Sequence, residues 1–186
     1  MSSCQLVFGP MFAGKTMELV TRCRTYAMSG KKCVVVRPDI DTRTMVEGTI
    51  YTHAKGSITD VFGLPIQKVG TDQSSLPSVY KYDVIGIDEG QFMPNLDSIV
   101  KDLLKRDRIV IIAALNGKSD TTSWSSVSKI IPLCDEVKPL KSICSICKKW
   151  TATTTKLRDE HANNPILIGG ADKYIVLCVP CRFGAK

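Results

Sequence analysis

The chain has 186 residues, 44% of them apolar, with a formal net charge of +7 and eight cysteines. That is enough to bury a real core in one domain plus a small appendage. No run suits a membrane span, and "MSSCQLVFGP" leads straight into a strand pattern without a leader's signature. Eight cysteines without an export signal point to a reducing cytosol and away from a disulfide framework. The positive charge decides nothing by itself. From Lys141 to Lys186 eight Lys/Arg stand against three Asp/Glu, which fits a nucleic-acid surface and a polyphosphate site equally well.

The first element is "QLVF" (5–8), a short apolar run suited to a buried strand. "GPMFAGKT" (9–16) follows, in which Gly9, Gly14, Lys15 and Thr16 fit the phosphate-loop pattern G-x-x-x-x-G-K-[ST]. In such a loop backbone N–H groups face an anion, the lysine reaches the outer phosphates and the hydroxyl serves Mg²⁺. After Thr16, Leu19, Val20, Cys23, Tyr26 and Ala27 recur at helical spacing. Strand, glycine loop and helix N-terminus are the setting in which phosphate binding works, because the unpaired N–H groups and the helix dipole both face the anion. The competing reading is a chance glycine turn.

"CVVV" (33–36) is a second buried strand, and the interval 37–81 is less regular. Within it "TIYTHAKG" reads as a small hairpin and "TDQSSLPS" as a loop. "YDVIGID" (82–88) and "RIVIIAAL" (108–115) are two further strands; between them Leu96, Ile99, Val100, Leu103 and Leu104 share one helix face. This alternation predicts βαβ units around a parallel sheet. An apolar strand ending in Asp88 is where a phosphate-loop protein holds Mg²⁺. Glu89 follows directly and faces the same crevice, where a carboxylate can take a proton from an attacking oxygen. Alternatively, Asp88 and Glu89 cap a strand at a solvated turn.

From about residue 141 the pattern changes to cysteine pairs and short β-rich stretches. Cys144-x-x-Cys147 and Cys178-x-x-Cys181 have the spacing of a closed, structural Cys₄ zinc site, with redox thiols or buried cysteines as alternatives. Cys4, Cys23, Cys33 and Cys134 sit in apolar runs as ordinary core residues. His53 and His161 lack partners at ligand spacing and are read as structural or surface residues. The excursion 148–177 carries Gly169 and Gly170, which permit close backbone approach to another group. It is either a metal-tethered lid over a ligand or a surface hairpin.

Taken together, "GPMFAGKT", "DTR" (41–43), "IGIDEGQF", "AALNG" (113–117), the two cysteine knuckles and "GGADKY" (169–174) resemble the type II thymidine kinase family, from Gln5 to about Phe183. The resemblance implies an ATP-dependent kinase that transfers the γ-phosphate to the 5′-hydroxyl of thymidine, giving dTMP and ADP. It implies an α/β phosphate-loop domain with a parallel sheet and flanking helices over 1–140, and a small β-rich zinc-binding lid over 141–186. Gly9, Pro10, Met11, Phe12, Ala13, Gly14, Lys15 and Thr16 would bind the ATP phosphates, with Arg43 and Gln91 beside them. Thr16 and Asp88 would hold Mg²⁺, and Glu89 would be the general base. Met11, Phe92, Leu115, Trp124, Thr154, Leu167, Ile168, Gly169 and Tyr174 match positions lining the nucleoside pocket. Zn²⁺ on Cys144, Cys147, Cys178 and Cys181 would be structural. A cytoplasmic homotetramer without nucleic-acid or membrane partners completes what the family implies.

Three departures stand out. Asn116 replaces the usual Asp, Ala54 follows His53 where Asp is usual, and Ser119 stands where an aromatic normally covers the base while Trp124 replaces a Phe. None touches the phosphate machinery. Two other functions compete: a nucleic-acid-stimulated ATPase with Glu89 activating water, and a zinc-stabilised nucleotide-binding module without catalysis. The first needs a second lobe that 186 residues hardly accommodate, and the tail lacks a stacking platform. The second leaves Glu89 unexplained.

Overall fold

The computed structural model describes residues 1–38, 63–69, 76–158 and 170–184. Its larger sheet has six strands: β1 (Ser3–Gly9), β2 (Cys33–Pro38), β3 (Ile66–Val69), β4 (Val84–Ile87), β5 (Ile109–Leu115) and β6 (Glu136–Pro139). Their spatial order is β3-β2-β4-β5-β1-β6, and every neighbouring pair is parallel. Among the described residues four α-helices accompany them: α1 (Lys15–Met28), α2 (Leu96–Lys105), α3 (Ser125–Ile130) and α4 (Val179–Phe183). A separate antiparallel pair, β7 (Thr154–Leu157) and β8 (Tyr174–Leu177), forms the second sheet.

The central strands are buried on both faces, which is why they read as continuous apolar runs. Alternate residues turn to opposite sides, as a pleated strand requires. Ile109, Ile111 and Ala113 of β5 pack with Leu19, Val20 and Cys23 of α1. Val110, Ile112 and Ala114 pack on the other face with Leu96, Ile99, Val100 and Leu103 of α2 and with Val127 and Ile130 of α3. One sheet thus separates two helical layers. Cys23 and Cys33 lie in this core, and burial pushes their thiols up to about 12 and about 11, so they are inert hydrophobes at neutral pH.

Every strand and helix expected from apolar periodicity is present. Four elements were not legible: β3, β6, α3 and α4, the last a five-residue helix where only short β-rich stretches are expected. β6 is an edge strand whose "EVKP" is mostly exposed and ends in Pro139, so it lacks the apolar run that marks a buried strand. β3 is the opposite edge, and α3 spans six residues with three serines, too short for a periodic signal. The hairpin expected over 49–56 lies outside the described residues, as do His53, Ala54 and His161. The loop expected over 71–78 is described only from Leu76, where a 3-10 turn runs to Val79.

Candidate functional site

Because the large sheet is parallel, the C-terminal ends of β1, β4 and β5 open on the same edge, where α/β sheets bind ligands. β1 ends at Gly9, and the loop to α1 bends through Phe12 and Gly14, both with left-handed backbone (φ 60° and 80°). Gly14 caps α1, so the helix starts at Lys15 with its first-turn N–H groups facing the loop. Lys15 Nζ curls back to donate to the Pro10 carbonyl at 2.7 Å.

β5 alone lies between β1 and β4, so the strand ends bearing the glycine loop and Asp88 are about 10 Å apart. The start of α1 closes that gap. Thr16 Oγ1 donates to Asp88 Oδ1 at 3.0 Å and also reaches Oδ2 at 3.3 Å. These are hard oxygen donors of the kind Mg²⁺ takes. Asp88 is only 1% exposed, and a buried carboxylate needs a counter-charge. Arg37 supplies it from the end of β2, its Nε 3.2 Å from Asp88 Oδ2 and one terminal nitrogen 4.0 Å from Glu89 Oε1. No motif marks Arg37 in the sequence; its one signal is an arginine ending the apolar run "CVVVR".

Glu89 follows β4 in left-handed conformation (φ 54°, ψ 39°), uncommon for a residue with a side chain and frequent where a site dictates backbone. Its Oε2 accepts from Gln91 Nε2 at 2.5 Å. Gln91 Oε1 in turn accepts the Leu115 backbone N–H at 3.0 Å. Gln91, expected beside the nucleotide, therefore directs both ends of its amide within the protein.

The positions expected to line a nucleoside pocket fall in two groups. Phe92 and Trp124 meet edge to face, with ring centroids 5.6 Å apart, and Lys118 Nζ lies 5.4 Å from the Trp124 ring. Met11, Leu115 and Tyr174 pack instead with the cysteine-bearing unit. Thr154 Oγ1 donates to the Leu177 carbonyl at 2.8 Å, across the β7–β8 pair. Arg43, Leu167, Ile168 and Gly169 lie outside the described residues.

Cys144, Cys147, Cys178 and Cys181 converge, with all four Sγ atoms within 4.8 Å of one another. Cys147 and Cys178 are 3.9 Å apart, close to the ~3.8 Å edge of a tetrahedron with metal–sulfur bonds of ~2.3 Å. A disulfide needs ~2.05 Å. The cluster could therefore hold a tetrahedral metal ion. Burial by itself would raise the Cys144 thiol, but the backbone N–H groups of Cys178, Cys147 and Ile146 outweigh it and bring it down to about 6. Cys181 is pushed up to about 12, chiefly by the Cys178 thiol. Thiolates packed this closely cannot all ionise without a cation among them.

This unit sits directly on the glycine loop. Met11 is buried with Cys144, Cys178, Val176 and Leu177. Its backbone N–H donates to Thr155 Oγ1 at 3.0 Å, and Ser142 Oγ donates to the Phe12 carbonyl at 3.2 Å. Asn116 Nδ2 donates to the Thr153 carbonyl at 2.8 Å. Arg182 donates to the carbonyls of Thr155 and Ser119, joining α4 to the loop before α3. None of these ties was legible in the sequence, because each joins residues distant along the chain through a backbone group.

Residues 2–182 match the family model described as thymidine kinase. The thymidine kinase of rabbit fibroma virus (strain Kasza) is 35% identical over 178 residues, 96% of this chain and 94% of that protein. Thymidine kinase 1 of Dictyostelium discoideum is 34% identical over 180 residues, covering 95% of this chain and 76% of its own. The cytosolic thymidine kinase of Gallus gallus is 34% identical over 179 residues, covering 96% and 76%.

Proposed function

The chain belongs to the thymidine kinase family, and on that premise we propose that it transfers the γ-phosphate of ATP to the 5′-hydroxyl of thymidine. The observation that carries this reading is the Thr16–Asp88 contact with Glu89 next in sequence. It brings a phosphate loop, a cation-holding carboxylate and a second carboxylate to one crevice. Residues 9–16 would cradle the phosphates, with Lys15 leaving the Pro10 carbonyl for the outer phosphates. Mg²⁺ arriving with ATP would take the Thr16 hydroxyl and Asp88, and would neutralise charge on the phosphates. Glu89 would accept the 5′-hydroxyl proton as the oxygen attacks phosphorus, and Arg43 would sit near the phosphates.

Phe92 and Trp124 would form one wall of the nucleoside pocket, and Met11, Leu115, Thr154 and Tyr174 another, with Leu167, Ile168 and Gly169 over the base. Cys144, Cys147, Cys178 and Cys181 would hold Zn²⁺ as a structural ion. The separate sheets support a phosphate-loop domain over 1–140 and a lid over 141–186. The family likeness, which includes a cytosolic relative, supports a cytoplasmic enzyme, and we extend it to a homotetramer. Among the described residues no helix is long and apolar enough to cross a membrane.

The test is direct. γ-Labelled ATP incubated with thymidine should give labelled dTMP, with ADP formed one for one and only when nucleoside is present. Phosphate release without nucleoside, raised by single-stranded nucleic acid, would instead identify an ATPase.

A further inference from the structure

Gln91 is 4% exposed, and its amide faces two groups of opposite character. Nε2 donates to Glu89 Oε2 at 2.5 Å, and Oε1 accepts the Leu115 N–H at 3.0 Å. A carboxylate only accepts and a backbone N–H only donates, so turning the amide over would spoil both contacts. The amide has one orientation. The Gln91 main-chain carbonyl also accepts the Ser126 hydroxyl at 3.0 Å, in the first turn of α3 just after Trp124. One buried residue thus joins Glu89 to the end of β5 and to the start of α3.

We propose that Gln91 is a positioning residue for phosphoryl transfer, fixing the Glu89 carboxylate and tying its orientation to the nucleoside-pocket residues Leu115 and Trp124. The inference rests on the reading of Glu89 as the base. Glu89 lies in a turn beyond β4, where no strand ladder restrains its side chain. Arg37 approaches Oε1 to 4.0 Å, whereas Gln91 meets Oε2 at hydrogen-bond distance. Reacting groups must sit near attack geometry, and a displacement of about 1 Å can cost on the order of 10²-fold in rate. When thymidine seats against Leu115 and Trp124, a shift of the β5 end passes through the amide to the carboxylate, and a shift of the start of α3 reaches the Gln91 main chain through its carbonyl. A purely structural Gln91, pinning the turn to β5, would instead affect stability while leaving turnover alone.

The test is Gln91→Met, which keeps the length of the side chain and removes both amide contacts. Turnover, both Michaelis constants and MgATP affinity are measured in the wild type and in a Glu89→Gln background. We expect turnover to fall about 10- to 100-fold with the MgATP Michaelis constant unchanged. On top of Glu89→Gln the substitution should cost nothing further, since its effect runs through that carboxylate. If Gln91→Met does not fold, Gln91→Asn retains an amide but falls one methylene short of Glu89, and the same pattern is expected. Wild-type turnover in a folded Gln91 variant, or an equal loss in both backgrounds, overturns the positioning role and leaves the base reading standing. Near wild-type turnover by Glu89→Gln overturns the base reading, and this inference with it.

Discussion

Thr16 Oγ1 and Asp88 Oδ1 are 3.0 Å apart although 72 positions separate them along the chain. The contact joins the first turn of α1 to the end of β4 across the intervening strand β5. It places a hydroxyl and a carboxylate where one cation could take both, and it leaves Arg37 as the counter-charge behind Asp88.

Asp88→Asn should therefore lose two things together. The buried Arg37 loses the nearer of the two carboxylates it faces, Glu89 remaining at 4.0 Å, and breaking one side of a buried pair typically costs ~3–5 kcal/mol. The carboxylate proposed for Mg²⁺ is removed as well. Thr16→Val removes one hydrogen bond and should cost only about 0.5–1.5 kcal/mol. Thermal unfolding with and without MgATP separates the effects. Wild type should be stabilised by MgATP, while Asp88→Asn should unfold earlier and gain little from it. An Asp88→Asn protein as stable as wild type, and equally stabilised by MgATP, would refute both roles.

The cysteine cluster should prove necessary beyond its own unit. Metal analysis should find one zinc per chain, and Cys147→Ser should lose it. Because Met11 is buried among Cys144, Cys178, Val176 and Leu177, the disturbance should reach the glycine loop, weakening MgATP binding as well as nucleoside binding. Strong chelation should lower the melting temperature in the same way. Zinc-free protein with full MgATP affinity would show that Met11 holds its place without the metal.

Much of the fold could be read from the chain because the central strands are buried on both faces and their helices carry one apolar stripe. "CVVV" and "RIVIIAAL" admit few other readings. The edge strands β3 and β6 face solvent and carry no such run. In the site, glycine and cysteine spacings announced themselves because backbone and metal geometry fix them along the sequence. Arg37, Thr155 and Ser126 did not, since each acts on a residue distant in sequence and through a contact that only the folded chain creates. Gln91 shows the difference well. Its position in "DEGQF" was legible, whereas its alignment by Leu115 was not.

Two glycines of the loop between β1 and α1 should respond differently to alanine. At Gly9 an added Cβ would lie 2.6 Å from the Leu140 carbonyl oxygen, where the chain has just left β6 and Leu140 N–H donates to the Phe8 carbonyl at 2.8 Å. Backbone would have to move, so Gly9→Ala should cost on the order of 1–3 kcal/mol and disturb the loop. At Gly14 nothing lies within 4 Å of the new atom, and only the left-handed conformation (φ 80°) resists, at roughly 1–2 kcal/mol. Urea unfolding should rank Gly9→Ala as the more damaging, and the opposite order would count against this account.

Glu18, in the first turn of α1, accepts from Lys138 Nζ at 2.7 Å and from Arg22 Nε at 2.9 Å, and a carboxylate there also meets the positive end of the helix dipole. Arg22 extends the network to Glu136 at 2.7 Å, linking α1 to the edge strand β6. Lys138 foremost, and Arg22 after it, hold the Glu18 carboxyl below its ordinary value of 4.5 against the opposing effect of burial. A carboxyl whose folded-state pKa is depressed contributes stability that is present above the unfolded value and is lost as the pH falls through the folded one. Glu18 and Lys138 are partly solvated, so screening keeps the contribution to at most ~1 kcal/mol. Glu18→Gln should therefore be slightly less stable than wild type at neutral pH. The gap should close as the pH drops below 4.5, and should shrink in high salt, where exposed ion pairs are screened. A difference that stayed constant from neutral pH to acid would assign the effect of Glu18 to packing and not to its charge.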